Sequence, residues 1–215
     1  MLRTVPHLLH RIATESFEDT VCRSAHVSYG AGASGFAAAV FVISKIPELL
    51  DTVFLVLKKK EVLFLHWYHH CTVLVFCWNS FVTESAAGLW FVAMNYTVHS
   101  VMYMYFALST LRILPGLIPA ALVTTMQILQ MAIGTAVVSA CLYLNRYGSA
   151  RYVYRLSQGP VACGNSESNL WVGGVIYASY LYLFAEFAVR RYFCRKPKTA
   201  KVASSIEASA NKKSL

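Results

Sequence analysis

The chain has 215 residues, 57% of them hydrophobic and 13% charged, with a net charge of +9. An ordinary soluble domain carries about 25% charged residues, so this composition argues for a polytopic helical membrane protein. The basic excess does not point to nucleic acid, because it gathers between and beyond the apolar runs.

Residues 1–31 are a poorly defined opening segment. They lack the uninterrupted apolar core and small-residue cleavage site of a signal peptide. Five apolar windows follow: Gly32–Leu57, Val62–Ser80, Ala86–Thr110, Leu117–Leu144 and Leu170–Phe193. Each approaches the roughly 20 helical residues that cross a hydrocarbon layer. The expected architecture is all-α, about five transmembrane helices over residues 32–194, followed by a basic tail over 195–215.

Charge sets the expected orientation. Lys58, Lys59 and Lys60 lie between the first two windows, and Arg190, Arg191, Arg195, Lys196, Lys198, Lys201, Lys212 and Lys213 lie at or beyond the last. With five crossings these places share one face, which the positive-inside rule makes cytosolic. Arg146, Arg151 and Arg155 weaken the bias without reversing it. The chain ends "NKKSL", which places Lys212 and Lys213 where a cytosolic dilysine signal returns membrane proteins to the endoplasmic reticulum, a receptor-read address. The six cysteines, Cys22, Cys71, Cys77, Cys141, Cys163 and Cys194, show no metal or disulfide spacing. They read as small buried hydrophobes.

Ionisable groups in membrane helices are costly, which makes each a functional candidate. In "SKIPELLDT", Lys45, Glu48 and Thr52 share a helix face with Asp51 beside it, and Lys45 and Glu48 can neutralise each other. A packing salt bridge is the plainer alternative, and Pro47 is placed to start or kink the helix. In "FLHWYHH", His66, His69 and His70 form one stripe, flanked by Trp67 and Tyr68. In "MNYTVHSVMYMYF", Asn95 and His99 are four apart, and Met102 and Tyr103 continue that face. In "TTMQILQM", Thr124, Gln127 and Gln130 repeat every third residue, equally suited to holding helices together. Tyr177, Tyr180, Phe184 and Glu186 suggest a mixed aromatic and polar inner face on the last helix.

An imidazole with a free lone pair can bind metal, shuttle protons or attack an electrophile. An HxxHH box is one element of membrane di-iron desaturases, but no second box occurs here. A three-histidine zinc site stays open, although this spacing crowds it. The expectation is no metal. Cys71 is the alternative nucleophile, yet it is turned about 100° from His70 on a helix.

Together, "KIPELLDT", "FLHWYHH", "MNYTVHSVMYMYF" and "TTMQILQM" stand in the order and approximate spacing of the fatty acid elongases, the ELO family. The resemblance covers about residues 36–195. It implies a helical barrel around a narrow acyl tunnel open to the cytosol, and condensation of acyl-CoA with malonyl-CoA to give 3-ketoacyl-CoA, carbon dioxide and CoA. No further cofactor is implied. By resemblance His69 attacks the thioester and carries the chain as an acyl-imidazole, with His99 as its partner across the pocket. His66 and His70 orient or relay protons, and Asn95 donates to the developing oxyanion. Lys45, Glu48, Asp51, Thr52, Tyr103, Gln127 and Gln130 are expected around the substrate, with Lys58, Lys59 and Lys60 as contacts for CoA phosphates. "HWYHH" and Glu61 resemble members acting on saturated or monounsaturated chains. Expected partners are acyl-CoA, malonyl-CoA and membrane lipid, with other enzymes of the elongation cycle or a second copy left open. Family members carry a longer segment ahead of "KIPELLDT", so the chain is expected to lack the first span and most of the second. The alternative function is therefore a non-catalytic membrane subunit or acyl-chain-binding protein.

Overall fold

The computed structural model describes residues 3–112, 119–153 and 159–194. Three short helices come first: α1 (Thr4–Thr14), α2 (Phe17–Cys22) and α3 (Ala25–Ser28). Four long ones follow: α4 (Gly32–Leu57), α5 (Phe64–Val82), α6 (Gly88–Thr110) and α7 (Ala120–Tyr147). A two-residue antiparallel pair, β1 (Tyr152–Val153) and β2 (Pro160–Val161), precedes the last long helix, α8 (Glu167–Tyr192). The five apolar windows are the five long helices, with bounds that agree within three residues. Pro47 lies inside α4 and does not start it.

By length and composition α7 and α8 are apolar enough to cross a membrane. Helices α4, α5 and α6 have 26, 19 and 23 residues, long enough at about 1.5 Å per residue. Their hydropathy is diluted by the lysine, carboxylates, histidines and asparagine singled out above.

Tight turns set the helix directions. Lys59 and Glu84 take left-handed φ angles of 51° and 50° just past α4 and α5. The next N–H in each case reaches back to close the helix end, Lys60 to the Leu55 carbonyl at 2.9 Å and Ser85 to the Ser80 carbonyl at 3.0 Å. The first of these turns sets α5 back alongside α4. Around the bundle α5 packs on α4 and α8, while α7 packs on α8 and α6. Helix α1 packs against both α6 and α4 and fills the space between them at one end. Helices α7 and α8 approach each other closely, since a Cβ on Gly134 would lie 2.3 Å from the Tyr177 ring.

That end of the bundle carries a cap made by α1–α3 and the loop after α7. Ser16 caps α2 by accepting from the Asp19 N–H at 3.1 Å. Arg11, only 2% exposed, pairs with Glu15 at 2.8 Å and donates to the Asp19 carbonyl at 2.8 Å. Arg151 pairs with Glu18, and the Tyr152 hydroxyl donates to the Asp19 carboxylate at 3.0 Å. A buried cluster of Val21, Cys22, Cys141, Tyr152, Cys163 and Leu170 lies beneath.

The cysteine reading needs correction. Cys22 and Cys163 form a disulfide across 141 residues of sequence. The distance between them in sequence hid the pair, because the folded cap brings α2 and the β2–α8 loop together. Cys71 and Cys194 are exposed thiols, Cys77 is half-buried, and Cys141 is buried as expected. Removing the disulfide by Cys22→Ser with Cys163→Ser should cost about 2–5 kcal/mol. Thermal unfolding in detergent would register this as a lower Tm, and an unchanged Tm would contradict it.

The cap should also respond to acid. The Ser16 hydroxyl, then Tyr152, Arg23 and Arg151, hold the Asp19 carboxyl below its usual range against a smaller opposing effect of burial. A depressed folded-state value contributes stability above the unfolded value of about 3.9, lost as pH falls through the folded one. Wild-type Tm should therefore fall more than that of Asp19→Asn between about pH 6 and pH 3. Parallel curves would argue against the network.

Candidate active site

The site begins with a lysine in an apolar interior. Lys45 on α4 is 3% exposed, and its ammonium donates to Glu48 Oε1 at 2.7 Å and to Asn95 Oδ1 on α6 at 3.1 Å. It also lies 4.2 Å above the Phe41 ring. The i, i+3 pair expected from spacing is formed, and the further bond from Lys45 to Asn95 ties α4 to α6. An ammonium can only donate, so Lys45 fixes which end of the Asn95 amide faces it. The Nδ2 hydrogens are then the donors that Asn95 can offer to the interior.

Above this floor lies a chamber of about 790 Å³, within the size range of small-molecule sites. Asp51, His66, His69, His70, Asn95 and His99 line it. So do Tyr103, Thr124, Gln127 and Gln130 on α6 and α7. Histidines from α5 and α6 thus face one space. The rings of His66 and His70 are 4.5 Å apart and those of His69 and His70 5.4 Å. Tyr103 donates to Asp51 at 3.3 Å and stacks edge-on against His99 at 5.7 Å. Gln127 donates to the Met102 sulfur at 3.4 Å.

A second, narrow cavity of about 80 Å³ runs from the chamber's floor toward the capped end. His69, Asn95, Gln130 and Met131 border both spaces, so His69 stands at the neck. Its ring lies 4.9 Å from Tyr180 and 6.3 Å from Phe184 on α8. Tyr180, 1% exposed, shares a 2.6 Å hydrogen bond with Thr72 and donates to the His69 carbonyl at 3.4 Å. That turn of α5 is therefore held from α8. Glu48 Oε2, His66 Nε2 and His70 Nδ1 are buried without a hydrogen-bond partner among the described residues.

Several expected contacts lie elsewhere. Lys45 and Glu48 sit beneath the chamber wall and act on it through Asn95. Thr52, Lys59 and Lys60 do not line the chamber, whereas Lys58 does. Glu186 pairs with Arg190 at 2.6 Å on the outer surface and is not part of the inner face. Lys212 and Lys213 lie outside the described residues. Reasoning from sequence missed Arg191 at the mouth of the chamber and Tyr29 in the narrow cavity. Arg191 looked like a charge that marks topology, and Tyr29 carries no motif. Among the described residues no three His, Cys, Asp or Glu side chains are grouped to hold a metal ion.

A family model described as ELO, the GNS1/SUR4 family, matches residues 1–201. The chain belongs to this family. Its ELO relatives include Fatty acid elongase 1 of Trypanosoma brucei brucei, 43% identical over 197 residues, covering 90% of this chain and 60% of the relative. Very long chain fatty acid elongase 6 of Drosophila melanogaster is 36% identical over 208 residues, covering 96% of this chain and 62% of the relative. Fatty acid elongase 1 of Trypanosoma cruzi is 39% identical over 211 residues, covering 97% and 68%. The chain thus spans about 60% of the length of the first of these curated relatives. No solved structure matches it. ELO membership sets the helical bundle in a membrane.

The buried pair yields a stability test. Lys45→Met leaves the Glu48 carboxylate without its ammonium and the Asn95 carbonyl without its Lys45 donor, and should cost about 3–5 kcal/mol. Adding Glu48→Gln should recover part of that loss. Chemical denaturation of the single and double variants measures both, and equal losses would show that the pair is not coupled.

Proposed function

We propose that this protein is a fatty acid elongase that condenses an acyl-CoA with malonyl-CoA inside the bilayer. All five long helices cross the membrane in this reading. The disulfide-capped end faces an oxidising lumen, where such bonds persist. The end bearing Lys58 and Arg191 faces the cytosol. The membrane is that of the endoplasmic reticulum. The observation that carries the reading is the position of His69, at the neck between a wide chamber and a narrow, largely apolar bore.

The two spaces suit the two parts of an acyl-CoA. The bore takes the hydrocarbon tail, whose burial is favourable at about 0.8 kcal/mol per methylene. The chamber takes the thioester and the CoA arm, with Lys58 and Arg191 near its phosphates. That places the thioester carbonyl beside the His69 ring. The imidazole attacks it, the tetrahedral oxyanion accepts from the Asn95 amide, and the C–S bond breaks. The imidazole proton passes to the departing thiolate, leaving neutral acyl-imidazole and free CoA.

Malonyl-CoA then enters the same chamber. Loss of carbon dioxide leaves its electron pair on the α-carbon, which attacks the acyl carbonyl. The C–N bond to His69 breaks, and the imidazole recovers a proton from water as 3-ketoacyl-CoA departs. His99 borders the reacting groups from α6, and His66 and His70 supply proton-carrying nitrogens within the same wall. An acyl-imidazole hydrolyses readily in water, which gives the sealed apolar bore a protective role. Holding both carbonyl carbon and nucleophile in one chamber supplies proximity.

Microsomes expressing the chain should incorporate radiolabelled malonyl-CoA into longer acyl chains. His69→Ala should abolish this, and His99→Ala should lower it by roughly 10²–10⁴-fold if His99 moves a proton. Extension that survives both substitutions would contradict the mechanism.

A further inference from the structure

The bore that begins at His69 also has a far end, and part of the far wall comes from outside the histidine-bearing helices. Eleven residues of α5 separate His69 from Ser80, a rise of about 16 Å along the helix axis. At that depth Ser80, Phe81, Ser85, Gly88 and Asn169 line the bore together with Tyr29, the residue that follows α3 in the cap. We propose that Tyr29, held by the disulfide-pinned cap, is the end stop of the acyl bore and sets the longest chain admitted. The proposal rests on the elongase reading given above.

Three observations support it. Tyr29 is 8% exposed, and its hydroxyl donates to the Ser85 carbonyl at 2.7 Å. A Cβ at Gly88 would stand 2.0 Å from that hydroxyl, so the phenol reaches onto the first residue of α6. Only glycine there leaves it room. The turn that receives the phenol is itself clamped. Asn165 accepts from the Ser85 hydroxyl at 2.9 Å and from the Ala87 N–H at 3.2 Å. The same Asn165 donates to the Val21 carbonyl at 2.9 Å, beside the Cys22–Cys163 disulfide. Swinging the ring aside therefore requires loosening the cap. Each added methylene gains burial until the chain meets this wall, and the next one must displace a close-packed ring. Leu8 and Ala25, which do not line the bore, pack with the ring in one apolar cluster. Shortening the side chain extends the bore into apolar space.

The test uses microsomes expressing the full chain, acyl-CoAs of graded length, radiolabelled malonyl-CoA and separation of products by length. Tyr29→Ala and Tyr29→Leu should move the longest product upward by one or more two-carbon steps while short substrates still turn over. The ratio of longest to short products should rise roughly tenfold or more, the discrimination that a methylene carries in an apolar pocket. Tyr29→Phe, which keeps the ring, should hold the wild-type limit. If wild type elongates and the Ala and Leu variants stop at the same length, the proposal fails. If neither variant folds in detergent, Tyr29 is a folding residue and the proposal fails too. A wild type that incorporates no label overturns the elongase reading itself, a separate result.

Discussion

An ammonium group in an apolar bundle must be neutralised where it stands, and the site is organised by how Lys45 meets that demand. One partner, Glu48, is a turn away on the same helix, and the other, Asn95, lies on α6. A buried pair gives little net stability once its desolvation is counted. What it supplies here is registry. It fixes α4 against α6 at one height, and it orients the amide that faces His69's cavity. The polar floor and the histidine wall are thus set by one contact.

The bundle is asymmetric from end to end, and that asymmetry separates two tasks. The end bearing Lys58 and Arg191 opens into the wide chamber. The opposite end is closed by short helices, ion pairs, a disulfide and the amide of Asn165. In the proposed reaction, the chemistry on the CoA thioesters takes place near the open end. The narrow space that needs protection from water lies toward the closed one.

Much of this was legible in the sequence because membrane helices impose strong composition rules. Gly32–Leu57 was read with the bounds it has, since apolar length alone decides such an element. The Lys45–Glu48 pair and the shared face of the histidines followed from helical spacing, and one chamber does gather His66, His69, His70 and His99. Contacts made by tertiary folding were not legible. Cys22 and Cys163 are too far apart in sequence for spacing to reveal them, and their pairing depends on the cap. Tyr29 and Asn165 stand in loop segments without periodicity, so nothing local marks them as walls or clamps. Glu186 misled for the opposite reason: it lies near the inner stripe of α8, but an arginine one turn on draws it outward.

The central claim is that His69 carries the acyl chain covalently, and a direct measurement is available. The purified protein would be incubated with acyl-CoA alone, quenched, digested and examined by peptide mass spectrometry. The account predicts one acyl group on the peptide containing His69, absent in His69→Ala and discharged by malonyl-CoA with formation of 3-ketoacyl-CoA. An acyl group on Cys71, or product formed with no adduct at His69 under conditions that preserve acyl-imidazole, would contradict it.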